Sequence, residues 1–214
     1  MNQSTLGRLG LAAGLALALG LGGCVTLLPK TAPVQLYRFD VAGADVVGSP
    51  PAAAVPDILI QRAPTTFVRA AGSDRILTVT GDQIAYIADA RWVSAASTLF
   101  DEAETRAFDR SAGPVRLTRR GETLNAPAGL RLDVQTFEVR YGAGAGPTVV
   151  VQVRASLTRS LDRKPVAAQI FESRQKVASN RVGGIVPGFD AAVTDVLGQI
   201  ITWTNAQVAA PDKP

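Results

Sequence analysis

The chain has 214 residues, 47% hydrophobic and 19% charged, with a formal net charge of +4. That composition suits one globular domain and excludes disordered, collagen-like and coiled-coil chains. Histidine is absent and cysteine occurs once, which removes Ser-His-Asp and Cys-His catalysis, His-ligated zinc, an internal disulfide and any Cys-rich metal site.

Arg8 is the only charged side chain before Cys24, and residues 9–21 are all Leu, Ala or Gly. Leu21-Gly22-Gly23-Cys24 follows. A basic start, an apolar core and small residues before a cut describe a secretory signal. Here the small residues end at the lone cysteine, and the run resembles the lipobox of bacterial lipoproteins. That resemblance implies cleavage between Gly23 and Cys24, a diacylglycerol on the thiol and an acyl chain on the new amine. Several chains anchor stably where one binds only marginally, and lipidation consumes an otherwise reactive thiol. The competing reading is a transmembrane anchor, because 9–28 is about long enough to span a bilayer. Five glycines and the cysteine inside that run weigh against it. Val25 stands where an Asp retains enterobacterial lipoproteins at the inner membrane, so the resemblance implies the periplasmic face of the outer membrane. The expected division is a signal peptide at 1–23, a lipidated tether at 24–33, a folded domain at 34–210 and a tail at 211–214.

Within the domain, alternation predicts a first strand over 35–39 and a buried strand over 57–61. Residues 41–56, rich in Gly, Ala and Pro, predict a loop. Pro64 ends the second strand, and 65–72 is expected to form one or two helical turns. Strands at 76–79 and 83–87 flank Gly81-Asp82, a two-residue hairpin turn. An amphipathic helix is predicted over 94–110, with Ser94 as its cap. Its buried stripe is Val93, Ala96, Phe100, Ala103 and Ala107, and Asp101, Glu102 and Glu104 are placed on its wet side.

The middle is expected to be β. After a short strand at 115–118, Leu130, Leu132 and Val134 share one parity and Phe137, Val139 and Tyr141 the other. A β-bulge near Gln135-Thr136 reconciles them. A loop over 142–147 leads to an alternating strand at 149–157, a turn at Asp162-Arg163-Lys164 and a strand at 166–177. A loop over 179–188 precedes a last helix at 189–208, with Val193, Val196, Leu197, Ile200, Ile201 and Thr204 on its apolar face. The fold class is α+β, a mostly antiparallel β-sheet with two amphipathic helices packed on it, in a single domain.

The order of these elements resembles the ABC-type transport auxiliary lipoproteins over essentially the whole chain. The resemblance is carried by the lipobox at Cys24, by Tyr37-Arg38-Phe39, and by Ile84-Ala85-Tyr86 followed by Trp92 before the first helix. The bulged strand at 132–138 and the C-terminal helix ending in Ile200-Ile201-Thr202-Trp203 complete it. Trp92-Val93-Ser94-Ala95 departs from the family's frequent Trp-Ala-x-Pro. The resemblance implies a non-enzymatic docking component in lipid traffic between the two membranes. Its implied partners are an MCE-type substrate-binding protein with its permease and ATPase, together with outer-membrane lipids. It need not bind ATP, and the chain has no Gly-x-x-x-x-Gly-Lys-Ser/Thr loop. A ring of identical subunits is a further expectation. The alternative is a structural or assembly lipoprotein of another envelope complex.

Candidate contact residues follow. Tyr86 and Trp92 are candidates for an exposed aromatic contact, against a reading in which Trp92 anchors the helix to the sheet. Arg116, Arg119 and Arg120 form the densest basic cluster and are candidates for lipid phosphates or an acidic rim, against a solvated strand end. The basic excess is small and scattered, so no nucleic-acid partner is expected. Ser173-Arg174-Gln175-Lys176 matches Ser-x-x-Lys, but on a strand positions i and i+3 face opposite sides. The companion motifs of penicillin-binding enzymes are missing. Gly142 to Gly146 lies between strands and offers no helix N-terminus for a phosphate. No spacing suggests a metal site, and no cofactor is expected beyond the lipid on Cys24.

Overall fold

Which residues pair with which is decided by one long strand. The computed structural model describes residues 33–41, 58–119, 126–142 and 146–209. The expected signal peptide, Gly23, Cys24, the expected loop beyond residue 41, Arg120 and the expected tail therefore lie outside the described residues. Among the described residues nine strands are seen: β1 (Gln35–Tyr37), β2 (Ile58–Arg62), β3 (Thr66–Phe67), β4 (Arg75–Thr80), β5 (Gln83–Trp92), β6 (Val115–Leu117), β7 (Ala128–Tyr141), β8 (Thr148–Arg159) and β9 (Pro165–Lys176). Helices α1 (Ala96–Arg110) and α2 (Val182–Ala209) complete the domain.

β7 pairs with β8 along one edge. Its other edge receives β2, β3 and β4 in turn, each parallel and over two or three residue pairs. The antiparallel ladders β4–β5, β7–β8 and β8–β9 are the long ones. The sheet is thus mixed but mostly antiparallel, as expected. The parity slip in β7 is a bulge: Val134 faces Val153, Thr136 faces Gln152, and Gln135 is the extra residue. It returns Phe137 and Val139 to the core side, where both are buried.

The helices lie on one face of the sheet, and the core between them is aromatic. Phe39, Trp92, Phe137 and Phe189 form one cluster, with Trp92 edge-on to Phe39 at 5.0 Å and to Phe189 at 5.2 Å. α2 is long and apolar enough to cross a membrane by length and composition alone. Its stripe Ile185, Phe189, Ala192, Val193, Val196, Leu197, Ile200 and Thr204 is buried in this domain. Gly188 permits the close approach of α2, since a Cβ there would meet Val149 Cγ2 at 3.0 Å and Val177 Cγ2 at 3.1 Å. On the opposite face Val150 is also fully buried. Its cross-strand neighbours Glu138 and Arg174 belong to the ion pairs Glu138–Arg140 and Glu172–Arg174.

Several local expectations are corrected. Residues 65–72 begin with strand β3, whose Phe67 packs against Phe137 and Phe100. The single turn follows, with Ala71 N–H and Gly72 N–H donating to Val68 O. β5 runs on to Trp92 because β1 pairs with its last residues. A bulge opposite Ile76 accommodates Asp89 at φ 53°, which an Asp tolerates better than most residues. α1 starts at Ala96 without a side-chain cap. Its first N–H groups donate instead to Ser73 O and Gly72 O, and Val93 is exposed. α2 starts at Val182, seven residues before the expected helix, through Gly183-Gly184 and Pro187. Ile185 and Phe189, one turn apart and both buried, supply packing that outweighs the poor propensity of that stretch.

One contact ties the end of α2 to the sheet. Asn205 Oδ1 accepts from Val115 N–H at 3.2 Å, and a Cβ on Gly113 would collide with the same amide. Gly113→Ala is expected to displace Asn205 and cost about 1 kcal/mol, the worth of that hydrogen bond. Asn205→Ala should cost a similar amount, and the double variant should cost no more than either alone. Urea unfolding of the three variants checks this.

Candidate functional site

The residues singled out in the sequence do not form one surface. Trp92 is 2% exposed, so its ring offers nothing to a partner. The exposed-contact reading is corrected in favour of the anchoring one, because burial of the indole between sheet and helices leaves no face free. Tyr86 is half-buried. Its hydroxyl donates to Ala70 O at 3.0 Å, and the Arg75 guanidinium lies 4.0 Å over its ring. Arg116 folds back on its own loop, donating to Gly113 O at 2.7 Å and Val115 O at 2.9 Å. Arg119 is exposed and lines a cleft of 430 Å³ with Arg62, Asp101 and Arg106. The path β1-β5-β4-β7-β2-β6 places Tyr86 and Arg116 on opposite flanks of the sheet. Ser173 is 3% exposed, while Lys176 has the opposite parity and faces solvent, so the Ser-x-x-Lys match is no catalytic pair.

Two features escaped the sequence reading. The first is a buried charge cluster. Glu104 is 1% exposed, not on the wet side of α1. Arg62 donates to its Oε2 through Nε at 2.9 Å and Nη2 at 2.6 Å, and to Asp101 Oδ1 at 2.7 Å. Thr65 Oγ1 donates to the same Oε2 at 3.2 Å. Burial disfavours the charged guanidinium, but the pull of Glu104 and Asp101 outweighs it and holds Arg62 above its ordinary value. Burial also pushes the Glu104 carboxyl up, and Arg62 offsets this only in part. The two partners therefore differ: the guanidinium keeps its charge, and Glu104 is the group that yields a charge on acidification. The signal was in the sequence, since Glu104 lies four residues after Phe100 and four before Phe108, on the apolar stripe.

A related network ties the segment after β1 to both helices. Arg106 Nε donates to Asp40 Oδ1 at 2.9 Å, and Asp40 N–H donates to Asp190 Oδ1 at 2.9 Å. Burial pushes Asp190 up, with the Asp40 charge adding to it. Burial acts on Asp40 too, but the Val41 N–H, Arg106 and Arg38 together hold it low.

The second feature is an open cleft of 610 Å³ beside the β8–β9 hairpin. Ile60 and Leu157, both buried, and the more exposed Val166 and Val208 line it. The register slips between Leu157 and Thr158, leaving Val166 as an extra residue; such a bulge re-aims a side chain. Leu161 stands 92% exposed at the hairpin tip. A lone Leu in Ser160-Leu161-Asp162-Arg163-Lys164 was the available signal.

A model of the family described as the ABC-type transport auxiliary lipoprotein component matches residues 40–201. The chain belongs to this family. The family is a transport auxiliary component rather than an enzyme class, and its description as a lipoprotein implies membrane anchoring. Solved structures of similar fold accompany this auxiliary lipoprotein. One, from Xanthomonas campestris and of the DUF330 family, is 22% identical with TM-score 0.68, covering 81% of this chain and 96% of its own. Another, a hypothetical protein from Chlamydia trachomatis, is 14% identical with TM-score 0.52, covering 72% of this chain and 99% of its own. At these identities the likeness concerns the fold. No curated protein matches.

Proposed function

We propose that this auxiliary lipoprotein is anchored through Cys24 on the periplasmic face of the outer membrane. There it docks the far end of an MCE-type ABC lipid transporter, without catalytic activity of its own. The observation that carries the reading is the family match over 40–201, joined to Leu21-Gly22-Gly23-Cys24 ahead of it. An aromatic-filled core, with open clefts at its surface, suits a docking module better than a carrier that encloses its cargo.

Cys24→Ala is expected to leave an uncleaved or soluble precursor, read by fractionation and intact mass. Normal processing and outer-membrane partitioning of that variant would remove the anchor from the proposal. The docking role is tested by a mild-detergent pull-down of the full-length protein from its own envelope, with mass spectrometry of what accompanies it. Recovery of an MCE protein with its permease or ATPase supports the role. Reproducible recovery of a different envelope complex reassigns the domain to the structural or assembly reading.

A further inference from the structure

From the cleft beside the β8–β9 hairpin we infer a binding site for one acyl chain of an anionic glycerophospholipid, with its phosphate at the basic hairpin. The inference rests on the lipid-transport reading above and goes beyond it by giving the domain its own lipid contact.

Three observations carry it. The volume, 610 Å³, lies within the roughly 300–1,000 Å³ typical of small-molecule sites. Eight of the eleven lining residues are apolar, so a chain placed there exchanges water for hydrocarbon along its length. Val166 and Leu161 are exposed at 47% and 92%. In Val166 the exposure results from the bulge that aims it at the cleft, and in Leu161 from a turn that gives it no core to enter.

The charge of the hairpin beside the cleft selects the headgroup. Arg159, the last residue of β8, lines the cleft, and Arg163 and Lys164 follow in the hairpin connection. The one carboxylate of this turn is Asp162, whose Oδ2 is 3.7 Å from Arg159 Nη1 and 3.5 Å from Lys164 Nζ. Three cations against one carboxylate leave this end of the hairpin net positive, the complement of a phosphate diester. A mostly apolar cleft whose lining reaches the hairpin at Arg159, Ser160 and Leu161 matches an amphiphile of that polarity better than it matches a flat protein surface.

The test uses the full-length lipoprotein in mixed micelles with phosphatidylglycerol carrying a diazirine on one acyl chain. Adducts are mapped by peptide mass spectrometry after illumination. Labelling is expected in the peptides holding Leu157 to Val166 and Val208. Val166→Asp, at an exposed position, is expected to lower it about tenfold by placing a charge against the chain. Leu161→Asp gives a second variant that leaves the core untouched and should also lower it. Lys164→Glu is expected to lower it about threefold, and a phosphatidylcholine probe should label less than phosphatidylglycerol. Adducts spread over the surface, or labelling unchanged in both Asp variants, would overturn the site. Equal labelling by the two probes would overturn its preference for an anionic headgroup and with it the inference. Pull-down of MCE components with an unlabelled cleft removes this site and leaves the transport reading intact. A labelled cleft without those components does the reverse.

Discussion

Replacing Arg62 by Met is expected to cost about 3–5 kcal/mol of stability at pH 7, because it strands the Glu104 carboxylate in the core. Glu104 is 1% exposed, and Arg62 supplies two of its three hydrogen bonds. The neighbouring Asp101 adds a like charge that a lost guanidinium no longer offsets. The pH dependence has a definite sign. A carboxyl whose folded pKa lies above its ordinary 4.5 takes up a proton more readily in the fold than when unfolded. Its contribution therefore favours the fold at low pH and is lost as pH rises through the folded value. In Arg62→Met only the Thr65 hydrogen bond still opposes the effect of burial on Glu104, so the folded value climbs further. The deficit measured by urea unfolding should accordingly be smaller at pH 5 than at pH 7. Arg62→Met/Glu104→Leu should recover most of the loss, since an apolar replacement of the whole pair removes the stranded charge. A loss in Arg62→Met under about 1 kcal/mol, the range of surface pairs, would show that the pair behaves as a solvated one.

Trp92→Ala is expected to cost about 3–5 kcal/mol, the range for emptying a large aromatic site in a packed core. The indole meets Phe39, Phe189 and Phe137 at centroid distances of 5.0, 5.2 and 6.4 Å. Its loss removes the ring that joins the end of β5 to the segment after β1, to β7 and to α2. Trp92→Phe keeps a ring and should cost about 1 kcal/mol. That variant separates the core role from a contact role. It should bring down the same partners as the parent in the pull-down, whereas a lost partner at near-parent stability would restore Trp92 as a contact residue.

Much of the fold was legible. The hairpin at Gly81-Asp82, the bulge at Gln135, the strands of 149–157 and 166–177 and the two helices all follow from period and turn chemistry, which are local properties of the chain. Element edges were less legible, because they depend on partners. β5 reaches Trp92 only through pairing with β1, and α2 begins at Val182 only because Ile185 and Phe189 are packed. Of the candidate contacts, Trp92 proved to be core and Tyr86 and Arg116 lie strands apart. Proximity in sequence or shared chemistry says nothing about which sheet positions become neighbours.

By itself the sequence determined the class of this protein: no histidine chemistry, a lone cysteine at the end of Leu21-Gly22-Gly23-Cys24, and an α+β pattern that carries its family. Composition and short-range periodicity are written residue by residue and need no folded partner to be read. The tertiary structure alone decided which charges are buried and which apolar side chains are left out. Glu104 sits in the core because β2 brings Arg62 to α1, forty-two residues away. Val166 and Leu161 edge a cleft because a register slip and a hairpin tip put them there. Those outcomes come from long-range pairing, which moves a side chain from solvent to core without changing a letter of its neighbourhood.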